Sequence, residues 1–287
     1  NDGVLCLGTS ETTQLADGNW PDFLNARAPR YATLAGAGRT ASVYLPIWAR
    51  HSDELKGLKA IYYINPVYWN SEHGPINPGY WTRYLDPMHL ASVDSLPSGI
   101  REPLIEARST LPIAQAWNPA GWLRKARKMW FKNLRRWWRP SEFHLAFKPI
   151  VRWEGEPPST PSPKWNAGLA VHEDFQHPEW FKPISDNPLV KAHRFKELQA
   201  LVEAGNHWGM EITFLLGPYN APFVRQHAPE ACRAYEDIQA QISMILEAGN
   251  AHWIDLRELN EVPGAFRDHQ HHSSYGAALI AQRILQP

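Results

Sequence analysis

The sequence predicts an α/β protein in which a five-stranded, mostly parallel sheet is covered by helices on both faces. Short apolar runs typical of buried strands recur along the chain, and stretches with helical spacing of apolar residues separate them. The 287 residues are 44% hydrophobic and 20% charged, a composition that supports a large core and excludes a disordered chain. Strands that alternate with helices favour a three-layer arrangement, with helices on each side of the sheet.

The predicted strands are short segments rich in apolar, aromatic and β-branched residues, and they end near Gly, Pro or Asn. They cover residues 3–8, 30–36, 59–65, 210–218 and 251–256. The predicted helices follow the second strand and the later strands, and most have an apolar stripe at helical spacing. They cover residues 40–51, 190–209, 229–250 and 273–285.

Residues 70–189 form a long insert between the third and fourth predicted strands. The insert is rich in Pro, Trp and charged residues, and its segment 152–166 has the composition of an exposed loop. We therefore expect one domain over residues 1–287, with the insert as an elaboration of that domain.

A basic tract lies inside the insert at residues 123–139. It carries eight Lys or Arg residues and no acidic residue, and its Leu, Ala and Trp side chains fall at helical spacing. Such an amphipathic helix can lie on an anionic membrane surface or bind an acidic polymer. It can equally pack on the domain with a solvated basic face. No nucleic-acid recognition motif accompanies the tract, so nucleic acid is not an expected partner.

Net charge and cysteine content give little information about partners. The formal net charge is zero, and the two cysteines, Cys6 and Cys232, do not form a disulfide framework. Cys6 lies in the first apolar run and is expected to be a small buried side chain. The chain starts at Asn1 and enters its first strand within three residues, which leads us to expect that a preceding signal or anchor has been removed.

A serine follows the first predicted strand in the segment GTSE, residues 8–11. In parallel sheets, active sites gather at the carboxyl ends of the strands, which favours Ser10 as a nucleophile. The alternative is that Ser10 caps a helix with Glu11 in its first turn. A nucleophilic serine needs a base and an orienting acid. The segment FRDHQHHSSYG offers both, because Asp268 and His271 are spaced D-x-x-H before the last helix.

Five stretches of the sequence resemble the SGNH (GDSL-like) hydrolases, and more specifically the DltD-like proteins of teichoic acid D-alanylation. GTSE resembles the family's G-S-S-E, and LAGAGRTAS (34–42) resembles its glycine-rich segment after the second strand. YINPVYW (63–69) resembles its S-P-Q-W-F, and GPYNAPF (217–223) resembles its P-V-N-G. DHQHHSSYG (268–276) matches its D-x-x-H, with a glycine five residues past the histidine.

The resemblance implies a Ser-His-Asp triad of Ser10, His271 and Asp268, with no cofactor. In the wider class, a glycine after the second strand and an asparagine after the third donate hydrogen bonds to the oxyanion. The matching residues are Gly38 and Asn65. Asn65 stands where the DltD-like proteins have serine, and a turn residue before proline is an equally good interpretation of it.

The resemblance also makes Trp69 and Asn220 candidate substrate-binding residues. It implies an extracytoplasmic, membrane-anchored acyltransferase or esterase that acts on a D-alanyl or acetyl ester of a cell-envelope polymer. The expected location is the periplasm or the outer face of the cytoplasmic membrane. The expected partners are a membrane-bound O-acyltransferase, the envelope polymer and, through residues 123–139, the membrane surface.

Two other classes of function remain open at this stage. The first is a non-catalytic polymer-binding adaptor on the same scaffold. The second is a metal-dependent hydrolase in which His269, His271 and His272 are the ligands. Asp255, at the end of the fifth predicted strand, is a rival orienting acid, although a capping or turn role suits it better.

Overall fold

A computed structural model describes residues 3–13, 18–27, 31–36, 39–70, 97–99, 101–102, 155–162 and 188–286. Most of the 70–189 insert, including the basic tract, lies outside these residues, as do Gly38 and the first two residues. The expectations for the insert and its membrane surface therefore stay predictions. In the part of the chain that is described, no helix is both long enough and apolar enough to cross a membrane.

The five predicted strands form one sheet with the order β2-β1-β3-β4-β5, and every neighbouring pair is parallel. The order reverses at β1, since β2 lies on one side of it and the later strands follow on the other. Ligands of such sheets bind outside the carboxyl ends of the strands where the order reverses, here between β1 and β3. The strands are β1 Val4–Leu7, β2 Tyr31–Thr33, β3 Lys59–Ile64, β4 Glu211–Leu216 and β5 His252–Asp255.

Helices cover both faces of the sheet. Alternate residues of β3 show the two faces, because Ile61 and Tyr63 join one apolar core while Tyr62 and Ile64 join the other. The first core contains buried residues of α1 and α6, and the second contains those of α2, α3, α4 and α5. The helices are α1 Trp20–Arg27, α2 Ala41–Arg50, α3 Pro188–His207, α4 Ala221–His227, α5 Pro229–Ala248 and α6 Ser274–Leu285. The three-layer fold predicted from the sequence is therefore confirmed.

Two short helices were not predicted. Helix α1 has eight residues and α4 has seven, so neither is long enough to show a clear apolar period. Side chains mark their starts instead. Asn220 accepts a hydrogen bond from the backbone N–H of Phe223, and Asp22 accepts one from the backbone N–H of Asn19.

The two cysteines are buried and free, and burial was expected for Cys6. Cys6 belongs to the core on the α1 and α6 face, whereas Cys232 belongs to the core on the opposite face. Because the sheet separates them, they do not form a disulfide with each other.

Candidate active site

Ser10 lies just beyond β1 in a turn that requires glycine. Gly8 has a φ of +137°, and an added Cβ there would lie 2.8 Å from Thr12 Oγ1 and 3.0 Å from the Tyr63 carbonyl oxygen. The turn is held from the other side by the Tyr44 hydroxyl, which lies 2.9 Å from Gly8 N and 2.8 Å from Gly8 O. A short 3₁₀ helix over Ser10–Thr12 follows, so the hydroxyl of Ser10 is placed at the carboxyl edge of the sheet.

The structure brings Ser10, His271 and Asp268 together in one hydrogen-bonded chain. Ser10 Oγ lies 3.0 Å from His271 Nε2, and His271 Nδ1 lies 2.7 Å from Asp268 Oδ2. The Asp268 side chain is fully buried, and that of His271 is 11% exposed. Nδ1 must carry the proton that Asp268 accepts, so Nε2 of the neutral ring is free to accept the proton of the serine.

The loop that carries Asp268 and His271 is fixed by backbone hydrogen bonds. Asp268 Oδ1 accepts from the backbone N–H of His271 at 2.6 Å and from that of Gln270 at 2.9 Å. Asn220 donates from Nδ2 to the Asp268 carbonyl oxygen at 3.1 Å and from its backbone N–H to the His269 carbonyl oxygen at 3.0 Å. The side-chain amide of Asn220 is thus used within the protein, and its predicted contact with substrate stays a prediction.

The glycine of the last motif also has a physical role. Ser273 Oγ caps α6 by accepting from the backbone N–H of Gly276 at 3.1 Å. A Cβ on Gly276 would lie 2.0 Å from the carbonyl oxygen of Ala265. Only glycine therefore lets the start of α6 approach the segment before Asp268.

The electrostatics of the pair suit a general base. Burial raises the pKa of Asp268, but its hydrogen bonds and charge interaction with His271 outweigh burial and lower the pKa to about 2. Burial lowers the pKa of His271, but the hydrogen bond and charge of Asp268 outweigh it, so that pKa lies above its usual value. Asp268 is therefore ionised at neutral pH and stabilises the protonated ring.

A buried carboxyl group adjoins this chain. Glu11 Oε1 lies 3.4 Å from Ser10 Oγ and 3.9 Å from His271 Nε2, while Oε2 is hydrogen-bonded to the Thr9 hydroxyl. Burial raises the pKa of Glu11, and the charge of His271 opposes that shift. Sequence interpretation gave Glu11 no role beyond the first turn of a helix. Its place directly after the candidate nucleophile does not by itself indicate these contacts, which are made by residues far away in the sequence.

Asn65 lies beside Glu11 at the end of β3. Its Oδ1 accepts from the backbone N–H of Val67 at 2.9 Å, and its Nδ2 donates to Glu11 Oε1 at 2.5 Å. The first bond stabilises the turn at Pro66, which was the alternative role expected for Asn65. The second bond holds the side-chain amide beside Glu11. Of the two predicted oxyanion donors, Asn65 is thus close to Ser10, and Gly38 lies outside the described residues.

Trp69 lines a cavity of about 10 Å³ next to the site, and its ring packs on Phe195 with 5.7 Å between centroids. The volume holds about one water molecule. Tyr68 lies on the same wall, and its hydroxyl is 3.4 Å from Ser10 Oγ, a contact that the sequence did not suggest. The cavity is lined by Thr9, Thr40, Ala41, Tyr62, Tyr63, Asn65, Tyr68, Trp69, Arg194, Glu197 and Leu198.

The histidines on either side of His271 are buried. Within the residues that the structure describes, no group of three or more His, Cys, Asp or Glu side chains is arranged to hold a metal ion. His272 is buried against the rings of Tyr63 and Phe266, and burial lowers its pKa to about 3. Burial likewise lowers the pKa of His269 to about 4.

The rival acid Asp255 is used elsewhere. It accepts hydrogen bonds from the backbone N–H and the guanidinium of Arg257, including one of 2.9 Å from the backbone. This is the turn role expected from its place at the end of β5. Asp268 is therefore the acid that contacts His271.

Comparison with known proteins adds little to this geometry. No protein-family model matches the chain, and no curated protein matches it. Among solved structures, a similar one is described as the crystal structure of an acetyl xylan esterase. It has a TM-score of 0.47 and 9% sequence identity, and the match covers 98% of this chain and 97% of that chain. A similarity of this degree carries no argument about activity.

Proposed function

We propose that the chain is a serine-dependent acyl-ester enzyme, an esterase or O-acyltransferase, with Ser10 as nucleophile. The observation that supports it is the chain of two hydrogen bonds, 3.0 Å and 2.7 Å long, from Ser10 through His271 to Asp268. A nucleophile, a base and an orienting acid in that order are the parts that acyl transfer requires. A non-catalytic adaptor has no need of this arrangement, and the described residues offer the metal-dependent alternative no set of ligands.

The reaction proceeds in two halves. Ser10 Oγ attacks the acyl carbonyl carbon while His271 Nε2 takes its proton, and Asp268 stabilises the resulting imidazolium. The imidazolium then gives this proton to the leaving alcohol as the carbonyl re-forms, which leaves an acyl-enzyme. In the second half, His271 takes a proton from water or from an acceptor hydroxyl as that oxygen attacks the acyl carbon. Ser10 Oγ then leaves and takes the proton back from His271. Asn65 and the backbone N–H of Ser10 are the proposed donors to the oxyanion, together with Gly38.

The small cavity beside Trp69 is the proposed place for the acyl group. Thr9 and Asn65, which border the nucleophile and the buried carboxyl, also line the 10 Å³ cavity. A space that holds about one water molecule accepts a methyl group but not a longer chain. Of the two acyl groups that the sequence resemblance suggests, this favours acetyl, because a D-alanyl group carries an ammonium as well as a methyl on its α-carbon.

The biological setting rests on sequence. The five motifs that resemble the DltD-like proteins support an extracytoplasmic enzyme that acts on a cell-envelope polymer next to a membrane-bound O-acyltransferase. The basic tract at 123–139 supports contact with an anionic membrane surface. Water and a polymer hydroxyl are both acceptors that the triad can use, so the proposal covers hydrolysis and transfer alike.

Product partitioning tests the proposal. The protein and its Ser10→Ala variant are each given a labelled acetyl or D-alanyl donor with a polymeric hydroxyl acceptor, and free acid and acylated polymer are counted separately. We expect both products to depend on Ser10, with polymer favoured as acceptor concentration rises. Full activity of Ser10→Ala contradicts the proposed function, whereas free acid at every acceptor concentration leaves the enzyme a hydrolase.

A further inference from the structure

Glu11 is a buried acid whose basic partner, in the part of the chain that the structure describes, is the candidate base His271. Its side chain has no exposed surface. Among the described residues, no Lys or Arg pairs with it, and His271 Nε2 at 3.9 Å is the nearest cation-forming atom. An ionised carboxylate in such a place is costly unless hydrogen bonds and charges compensate it.

The other ionisable groups around Glu11 do not favour a second negative charge. Asp268, on the loop before α6, is ionised and repels it. The Tyr63 hydroxyl on β3 offers no positive charge to Glu11. Burial, together with the charge of Glu11, raises the pKa of that hydroxyl well above its usual value. The charge of His271 opposes these effects, but only when the ring is protonated, and hydrogen bonds from the Thr9 hydroxyl and from the backbone also lower the pKa of Glu11. In the resting state that begins the reaction, with His271 neutral, burial is the largest influence on Glu11, and it favours the neutral acid.

The hydrogen bonds of Glu11 can accommodate that proton. Oε1 accepts from Asn65 Nδ2, so the proton belongs on Oε2, next to the Thr9 hydroxyl. A hydroxyl group both donates and accepts, so Thr9 Oγ1 can take the hydrogen bond of a protonated Oε2.

The bond to Glu11 fixes the direction of the Asn65 amide. The backbone N–H of Val67 holds Asn65 Oδ1, and Glu11 Oε1 takes one of the two hydrogens on Nδ2. The described residues give the second hydrogen no partner. Glu11 Oε1 lies 2.5 Å from Nδ2 and 3.4 Å from Ser10 Oγ, so this carboxyl oxygen holds the amide on the side of the site where the nucleophile lies.

We propose that Glu11 is a positioning residue which, as a neutral carboxylic acid, holds the Asn65 amide so that its second N–H donates to the oxyanion. The inference rests on the proposed acyl chemistry of Ser10. A neutral carboxyl supports the amide without placing a charge beside the developing oxyanion, whereas an ionised one would oppose that oxyanion. Glu11 itself neither gains nor loses a proton in this role.

The test combines two substitutions at Glu11 with one at Asn65. Glu11→Gln keeps the shape, accepts from Asn65 and donates to Thr9, but cannot ionise; Glu11→Ala removes the support. For acetyl ester cleavage we expect Glu11→Ala to lower kcat about 100-fold with little change in KM, as for the loss of one oxyanion donor. Glu11→Gln restores kcat to within about tenfold of the parent.

The double-mutant cycle shows whether Glu11 acts through Asn65. In the Asn65→Ala background, Glu11→Ala should lower kcat by less than about threefold, because the group it positions is already gone. A full and independent loss in that background contradicts a positioning role. The control is Asp22→Asn, an isosteric carboxyl-to-amide change at the start of α1, where burial also raises the pKa of the acid.

Infrared difference spectra test the protonation state without using activity. The parent protein at neutral pH minus Glu11→Gln should show the C=O stretch of a protonated carboxyl, and its absence overturns the inference. So does a Glu11→Gln variant that folds yet is as slow as Glu11→Ala, since the negative charge is then required. Either result contradicts the role of Glu11 and leaves the role of Ser10 untouched. The proposed function itself is contradicted by a different result, full activity of Ser10→Ala.

Discussion

Asp268 binds His271 with both oxygens of its carboxylate. Oδ2 lies 2.7 Å from Nδ1 of the ring, and Oδ1 accepts from the backbone N–H of the same residue at 2.6 Å. The D-x-x-H spacing makes this possible, because the chain turns back within three residues. One side chain therefore fixes the position of the base, its tautomer and the charge that it can hold.

Asp268→Asn separates these contributions. The amide oxygen can still accept from the backbone, so the loop should keep its shape, but the fixed charge next to the imidazolium is lost. We expect kcat for acetyl ester cleavage to fall by about 10²–10⁴-fold with little loss of stability. Steady-state kinetics and thermal melting measure the two effects. Asp255→Asn is the matched control, and an equal loss in that variant would count against a specific role for Asp268.

The raised pKa of His271 sets the pH dependence. The ring acts as a base only when neutral, so kcat/KM should rise with pH through the pKa of His271 and level off above it. Because Asp268 is the principal group that raises this pKa, the midpoint should lie above the usual histidine value of about 6.5. Asp268→Asn should move the midpoint to lower pH. A profile with no acidic decline, or one unchanged in that variant, is incompatible with His271 as the base.

The small cavity lined by Trp69 predicts a preference for esters with short acyl groups. One methylene too many in an apolar pocket changes kcat/KM by about 10- to 200-fold. We therefore expect acetyl esters to be cleaved at least about tenfold faster than butyryl esters. Trp69→Leu should enlarge the cavity and reduce this ratio, with circular dichroism as the control for folding. Equal rates along a series of acyl lengths would show that the cavity does not hold the acyl group.

Gly276→Ala tests whether the start of α6 holds the loop in place. The added methyl would lie 2.0 Å from the Ala265 carbonyl oxygen, so backbone atoms must move. We expect lower thermal stability and a loss of activity out of proportion to it, because His271 lies five residues before Gly276. Ala277→Gly, in the next position of the same helix, is the comparison. If Gly276→Ala retains full activity, the close approach is not needed to place the base.

Local signals were sufficient for part of this site. The strands are visible as apolar runs, and Asp268 and His271 lie so close in sequence that one loop must carry both. Ser10 could be paired with them because parallel strands end at a common edge. The alternative roles of Asn65 were also visible; its side-chain oxygen accepts from the backbone of the turn, and its nitrogen donates to Glu11.

The contacts of Glu11 could not be predicted from local sequence signals. Its environment is made by Asn65, 54 positions later, and by His271, 260 positions later, so no local pattern reports it. The contact of Tyr68 with Ser10 likewise depends on how the turn after β3 faces the turn after β1. The amide of Asn220 was expected to meet substrate, but its cap and loop bonds are made only once α4 and the Asp268 loop come together.

The central claim is that Ser10 is the nucleophile, and labelling with a serine-directed phosphonate tests it most directly. The parent protein, Ser10→Ala, His271→Ala and Ser273→Ala are incubated with the reagent, and the adduct is located by peptide mass spectrometry. We expect one adduct, on Ser10, formed much more slowly in His271→Ala and at the parent rate in Ser273→Ala if that variant folds. Absence of an adduct on Ser10 in a folded protein that still cleaves acetyl esters would contradict the account.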